Sequence, residues 1–503
     1  MKQILVFGAG KSSTVLIEDL IQQAQKYSWK IIVADHDLQL ARSKVKDAPG
    51  TEAIGMDITD TVKRDQLIER ADLVISLLPP ALHLLIAQSC ISSGKNLLTA
   101  SYIDKDIRAL QTEIDRKGLL FLCEMGLDPG IDHMSAMQLI DDIQKSGGKI
   151  RSFHSHCGGL VAPESDDNPW HYKISWNPRN VVMAGRSGAE YLEKGVVCQE
   201  PYESLFNPAR LVNIPGLGEL SWYPNRDSLS YIDLYKLQGV ETFIRTTLRH
   251  PEFCLGWKNI IELRLTDDTL FYETDGMTLK DFFQQHLEAC GFSDWIKTNF
   301  TTRFEDTREL LEKLNELIVA EKTANDDAKA LLQEMMMVNS SGDLEKVSLD
   351  DVKEKAARTV AGQMQEANVS LHQLIFLGMN DAQTFINKGR CSAADVLQFI
   401  LEQKLPLKPS DKDMIVMLHQ IRFDQQDVSC LVESSMVIKG EDNVHTAMAK
   451  TVGMPLAIAA RLILNGELNI KGLHIPIIPE IYQPVLKALE ESGIRFEEKI
   501  LPG

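Results

Sequence analysis

Hydrophobic and polar positions alternate in blocks through the N-terminal part of the chain. Residues 3–7 (Gln-Ile-Leu-Val-Phe) form a short apolar run without charge, the pattern of a strand covered on both faces. Gly8-Ala9-Gly10 follows at once. Val15, Leu16, Leu20 and Ile21 then fall on one face of a predicted helix, with Ser12 or Ser13 placed to cap it. Residues 30–34 (Lys-Ile-Ile-Val-Ala) predict a second strand, ending in Asp35. Similar runs recur at 53–56 before Asp57, at 72–78 before Pro79-Pro80, at 96–99 before Ala100-Ser101-Tyr102, and at 119–123 before Glu124-Met125-Gly126. Short buried strands alternating with helical stretches predict right-handed βαβ units, and so an α/β, doubly wound (Rossmann-type) domain over residues 1–130. Ligands of such sheets lie beyond the carboxyl ends of the strands. Asp35, Asp57, Leu77, Leu78, Ser101, Tyr102 and Gly126, Leu127 and Asp128 are therefore expected to share one crevice.

Residues 126–133 (Gly-Leu-Asp-Pro-Gly-Ile-Asp-His) read as a turn, followed by a helix that Asp132 is placed to cap. From Lys149 the runs lengthen and alternate: 150–156, 211–214, 260–265, 414–418 and 430–438. Alternation predicts an α+β mixed-sheet domain with much antiparallel pairing, built from 131–280 with 410–441 and 467–503. Residues 281–409 predict an inserted all-α domain. There Leu310, Leu311, Leu314, Leu317 and Ile318 repeat at helical spacing, Met335-Met336-Met337 suggests core packing, and 339–342 is a plain loop. Residues 442–466 are expected to complete the first domain. Gly453 and Pro455 should divide them into two helices, the second almost wholly apolar and hence buried.

The chain of 503 residues is too long for one simple core, and its 44% hydrophobic and 25% charged content is ordinary for a globular protein. A net charge of −18 argues against nucleic acid or an anionic membrane as partner. The eight cysteines are scattered singly, without a Cys-x-x-Cys pair, which suggests free thiols in a reducing compartment. The N-terminus enters a strand directly, and no apolar run approaches the roughly 20 residues that span a bilayer. A cytoplasmic location is the expectation.

Strand, glycine turn, helix, strand, acid is the order expected of a dinucleotide site. Gly8 allows the sharp turn, Gly10 lets a pyrophosphate approach the backbone, and the helix N-terminus offers free N–H groups. Asp35 stands where a carboxylate accepts from ribose hydroxyls; Ser13 replaces the third glycine of the fingerprint. His154 and His156 share a strand face, but no third ligand accompanies them, and no metal site is expected.

Several loop strings are more specific. The chain resembles the saccharopine reductases, the glutamate-forming saccharopine dehydrogenases, in 126–133, 157–160 (Cys-Gly-Gly-Leu), 173–176 (Lys-Ile-Ser-Trp), 223–228 (Tyr-Pro-Asn-Arg-Asp-Ser), 247–249 (Thr-Leu-Arg) and 447–453 (Ala-Met-Ala-Lys-Thr-Val-Gly). The resemblance implies that saccharopine, water and NAD(P)+ give glutamate, 2-aminoadipate 6-semialdehyde and NAD(P)H. It implies a cofactor lining of Gly8, Ala9, Gly10, Lys11, Asp35, His36, Asp57, Leu77, Ala100, Ser101, Met125, Gly126, Leu127 and Ser175. Ser101, Tyr102, Asp128, Arg226, Thr247, Leu248 and Arg249 would hold the substrate, with homodimers formed through the second domain.

The chemistry of these residue types agrees. A guanidinium fork suits the carboxylates of such a substrate, which points to Arg226 and Arg249. Hydride loss next to a secondary amine needs the amine neutral, hence a base: Asp128, Tyr102 or a bound water. Four departures from the family pattern stand out, one of them the poor match of the helical segment 281–409. Asp35 is followed by His36 where some NADP-using members carry arginine, and a carboxylate repels a 2′-phosphate, so NAD is expected over NADP. Pro80 replaces a common aromatic, and Thr246 a usual glycine. The competing readings are a dehydrogenase of another amine–carbonyl conjugate, such as carboxynorspermidine, and a non-catalytic nucleotide-binding sensor. The set Arg226, Arg249 and Asp128 speaks against the sensor.

Overall fold

The computed structural model describes residues 1–294, 312, 316, 319, 335–338, 344–347 and 349–502. The chain forms two compact units, Met1–Pro251 with Leu405–Gly503, and Glu252–Lys404.

The first unit contains two sheets. One is wholly parallel: β1 (Gln3–Phe7), β2 (Lys30–Asp35), β3 (Thr51–Gly55), β4 (Leu73–Ser76), β5 (Asn96–Thr99), β6 (Leu120–Leu122) and the tail strand Gly472–His474. Its order is tail strand-β6-β5-β4-β1-β2-β3, so the winding reverses at β1. That reversal opens a crevice at the carboxyl end of β1, where the glycine turn lies. Ile4 and Val6 face one apolar core and Leu5 and Phe7 the other, and all four are fully buried. This is why the strand reads as an unbroken apolar run rather than an alternating one.

The second sheet is mixed and nine-stranded. β7 (Lys149–Val161) lies between β12 (Thr242–Arg249), parallel to it, and β17 (Asp413–Gln425), antiparallel. β8 (Ala189–Glu193) and β9 (Val196–Glu200) branch from β12; β10 (Leu211–Ile214) and β11 (Gly218–Pro224) extend the edge beyond it. On the other side β18 (Val428–Lys439) pairs with the last strand, Glu497–Pro502. The tail thus serves both sheets, where the sequence reading assigned 467–503 to the second domain alone.

Helix boundaries differ from expectation in four places. Neither serine caps the first helix: Lys11–Ser13 is a 3-10 turn, the α-helix runs Thr14–Tyr27, and Ser13 Oγ donates to Gly10 O instead. The helix Ile131–Lys145 starts after Gly130, so Asp132 is not its cap. The tail forms one continuous helix, Ala447–Leu464, with Pro455 inside it. Burial explains the continuity, because the helix packs on Thr14–Tyr27 and tertiary contacts outweigh propensity. By length and composition this helix could cross a membrane, contrary to the sequence expectation, yet 72% of it is buried inside the protein. Finally, the strand expected at 260–265 is the end of a helix, Pro251–Glu262; a short apolar run does not distinguish the two by period.

The second unit holds the helices Leu279–Ala289, Leu349–Phe376 and Ala393–Lys404 and a two-stranded pairing of β13 (Phe271–Glu273) with β16 (Arg390–Ser392). It begins near residue 252, not 281. Met335–Val338 (β14) forms a hairpin with Leu344–Val347 (β15) rather than a helix. The repeat at 310–318 and the loop at 339–342 lie outside the described residues.

Candidate active site

A cavity of about 1050 Å³ opens at the carboxyl ends of the parallel strands and is closed from the other side by the mixed sheet. The β1 turn supplies Gly8, Gly10 and Lys11. Gly8 has φ +101°, and an added Cβ would meet Leu77 O at 2.9 Å, so glycine is required there by both backbone and space. Gly10 is ordinary in φ, and its Cβ would meet nothing within 4 Å. The open side of Gly10 is the cavity itself, as suits a backbone that a phosphate must approach.

Around this turn the wall contains Asp35, His36, Asp57, Leu77, Ala100, Ser101, Tyr102, Gly126, Leu127 and Asp128 from the parallel sheet. Asp35 is nearly buried; its Oδ2 accepts from Ala9 N at 2.7 Å and its Oδ1 from Asp37 N at 3.0 Å. His36 is exposed beside it, with Nδ1 2.8 Å from Asp35 Oδ1. Arg226, Thr247 and Arg249 enter from the mixed sheet. Four residues of the sequence reading do not line the cavity. Ala9 and Met125 are buried in the core, Ser175 is buried and hydrogen-bonded to Asp413, and Leu248 points away. Leu248 packs with Leu160, Ile214, Val416 and Leu418, because on a strand it faces opposite to Thr247 and Arg249.

The chemistry concentrates at the corner Gly126–Gly130, whose Asp128-Pro129 bond is cis. Gly130 has φ +148°, and a Cβ there would strike Gly126 O at 2.1 Å. Asp128 leaves this corner with Oδ1 accepting from Tyr102 OH and from Arg245 Nη2, both at 2.8 Å. Its Oδ2 has a longer contact, 3.4 Å, from Asn225 Nδ2. Arg245 Nη2 also reaches Asp132 Oδ2 at 2.9 Å and Tyr102 OH at 3.1 Å. Beneath lies a second layer: His133 Nε2 is 2.8 Å from Glu124 Oε2, which also accepts from Tyr231 OH at 3.1 Å.

Burial, then the Asp132 charge, push the Asp128 carboxyl above the usual carboxylate range, against Arg245 and the Tyr102 hydroxyl. Burial acts the same way on Asp132, but His133, Arg245 and the Gly130 N–H outweigh it and hold that carboxyl low. Burial pushes the Tyr102 phenol well above its ordinary value. Of the two side chains among the candidate bases, Tyr102 is therefore a hydrogen-bond donor at neutral pH, and Asp128 is the group able to accept a proton. Arg226 is exposed, in left-handed backbone (φ +47°), with its guanidinium 5.3 Å from the centre of the Tyr102 ring. Arg249 lies 5.2 Å from the centre of Tyr172.

Arg245, Asn225, Glu124 and the ion-paired Asp132 were not in the predicted site. Arg245 had a signal: it precedes Thr247 and Arg249 at strand spacing, so it shares their face. Asn225 lies in the matching string 223–228 and Glu124 follows the strand run 119–123, but nothing in either position singles the residue out from its neighbours. The two histidines of the metal question do different work: His156 Nδ1 is 2.6 Å from Thr246 Oγ1, and His154 stacks on His156. Among the described residues, no group of three potential ligands is placed to hold a metal ion.

Residues 4–122 match the family model described as the saccharopine dehydrogenase NADP binding domain, and residues 126–494 the saccharopine dehydrogenase C-terminal domain. The chain belongs to the saccharopine dehydrogenase family. Among its relatives in this family, the saccharopine dehydrogenase [NADP(+), L-glutamate-forming] of Saccharomyces cerevisiae is 31% identical, with 99% of each chain covered. The mitochondrial alpha-aminoadipic semialdehyde synthase of Bos taurus is 32% identical over 98% of this chain, which spans 47% of that longer protein. The apo structure of the Saccharomyces cerevisiae saccharopine dehydrogenase (L-Glu forming) superposes with a TM-score of 0.77 at 28% identity, over the whole of both chains. The resemblance in the loop strings thus extends to the full length of a saccharopine dehydrogenase.

Proposed function

We propose that this chain oxidises saccharopine with NAD(P)+ and water to L-glutamate and 2-aminoadipate 6-semialdehyde, or runs the reverse condensation, in lysine metabolism. The observation that carries the reading is the union in one cavity of an open glycine turn, a partly buried Asp128–Tyr102 pair and the guanidinium groups of Arg226 and Arg249. The turn residues Gly8, Gly10 and Lys11 with Asp35 would hold the dinucleotide, and they fit it: Gly10 leaves its open side to the cavity. When bound, the dinucleotide supplies the hydride acceptor.

The chain's own residues do the rest. Arg226 and Arg249 bind substrate carboxylates. Asp128 takes the proton that the secondary amine must lose, and Tyr102 keeps Asp128 in place by donating to Oδ1. Loss of hydride from the carbon beside that nitrogen leaves an imine, and water then adds and cleaves it into a primary amine and an aldehyde. The alternative conjugates carry fewer carboxylates and would leave one of the arginines without a substrate carboxylate to bind.

We further read the cofactor as NAD. Asp35 ends β2 with a nearly buried carboxylate, and a 2′-phosphate would be repelled there. The names of the yeast relatives and of the nucleotide-domain model point to NADP, so the choice is one to measure. Initial rates of NAD and NADP reduction with saccharopine, for wild type and Arg226→Ala, test both readings. We expect turnover with NAD as the more efficient cofactor, and a KM for saccharopine raised about tenfold or more by Arg226→Ala. Equal or better efficiency with NADP overturns the cofactor reading, and no turnover of saccharopine overturns the reaction.

A further inference from the structure

We infer that Arg245 is the positioning residue of the acid–base centre, holding Asp128 oriented as a carboxylate, and that it binds no substrate carboxylate itself. The inference rests on the reading above in taking Asp128 as the proton acceptor.

One amino group of the guanidinium, Nη2, is committed before any ligand arrives. The Arg245 side chain is 3% exposed, and Nη2 reaches Asp128, Asp132 and the Tyr102 hydroxyl within 2.8 to 3.1 Å. The ring of Tyr231 covers it at 4.4 Å, and that of Tyr102 at 5.7 Å. The backbone is pinned as well: Arg245 N donates to Ser228 Oγ at 3.0 Å, and Arg245 O accepts from Asn225 N at 2.8 Å. Arg226 contrasts with it in exposure and in ion pairing, although both lie over the Tyr102 ring. It is exposed, it lines the cavity, and no protein carboxylate lies within ion-pair distance of it among the described residues.

Arg245 also decides which oxygen of Asp128 works. Arg245 and Tyr102 both engage Oδ1, and Oδ2 has only the 3.4 Å contact from Asn225. Oδ2 is therefore the oxygen with capacity for an amine proton. The titratable and charged groups around Asp128 are Tyr102, Asp132, His133, Cys157 and Arg245, with Tyr231 and Glu124 behind them. Arg245 is the permanent cation among them, so without it only His133 would offset the charge of Asp128 beside Asp132.

Two variants with opposite signs test this, read by kinetics and by the carboxyl ¹³C titration of aspartate-labelled protein, with the Asp128 signal identified by its loss in Asp128→Asn. In Arg245→Gln we expect kcat to fall about 10- to 100-fold while KM for saccharopine changes less than about threefold. The acid limb of kcat/KM and the Asp128 carboxyl titration should both move to higher pH. Arg245→Lys, which keeps the charge but not the fork, should restore part of that shift. Asp132→Asn removes a neighbouring negative charge and should move both readouts to lower pH.

A large rise in KM with kcat and the acid limb unchanged would make Arg245 a substrate ligand and overturn the inference. Variants as stable as wild type with unmoved titrations would reduce it to packing. Should Arg245→Gln not fold, an Asp128 titration unmoved in Asp132→Asn is sufficient to reject the inference. The carboxyl titration is read in the free protein. It therefore tests Arg245 even if wild type does not turn over saccharopine, which would overturn only the functional reading.

Discussion

A methyl group added at Gly10 would touch no protein atom, whereas one at Gly8 would collide with the Leu77 carbonyl. The two glycines of the turn are therefore needed for different reasons, one for the ligand and one for the fold. Gly10→Ala should leave the melting temperature within about 1 °C of wild type, or slightly raise it, because alanine narrows the unfolded ensemble. The same variant should weaken dinucleotide binding about tenfold or more, measured by titration calorimetry. Unchanged affinity would mean that the phosphates do not pass this backbone. At this scale the sequence was informative wherever a residue's role is local. The Gly8 turn, Asp35 at a strand end and the Asp128 corner were all legible. Within the string 247–249, strand geometry turns the side chain of Leu248 to the face opposite Thr247 and Arg249, which a matched string does not reveal.

Among the elements, the helix Ala447–Leu464 departs furthest from local preference. It carries Gly453 and Pro455 in its interior and stays continuous. Gly453 lies against the Thr14–Tyr27 helix, where an added Cβ would come within 2.8 Å of Leu16 N and 3.1 Å of Leu16 Cβ. Alanine would gain up to about 1 kcal/mol in helix propensity. It would also force apart two helices whose contact includes backbone, at a cost of about 1–3 kcal/mol. Gly453→Ala should therefore be net destabilising in urea unfolding. A stabilised variant would show that the two helices separate freely. The sequence reading placed a break here because it weighed propensity without the packing partner, which lies more than 400 residues away in the chain. The strand expected at 260–265 has a different origin, the ambiguity of period in a short apolar run.

For the whole molecule, buried neutral histidines shape the response to acid. Burial holds His83, His154 and His419 down to about 4, and His156 to about 3. Between these values and the ordinary value of 6.5, the unfolded chain binds protons that the native one refuses, so stability falls as pH drops through that window. The ceiling on each contribution is about 3 kcal/mol for the three histidines near 4 and about 5 kcal/mol for His156. His419 is fully buried, with Nε2 2.7 Å from Ser135 Oγ. His419→Leu should lose less melting temperature between about pH 7.5 and pH 5 than wild type does. An equal loss would place the acid sensitivity elsewhere. By itself the sequence determined the parallel doubly wound sheet and the glycine turn, because strand period, helix period and turn chemistry are properties of neighbouring residues. Only the tertiary structure decided that Arg245, from a strand paired to β7, closes on Asp128 and Asp132, and that the tail divides between two sheets. Those outcomes depend on which distant strands pair and in what register, and buried charges find their counter-ions only after that pairing is made.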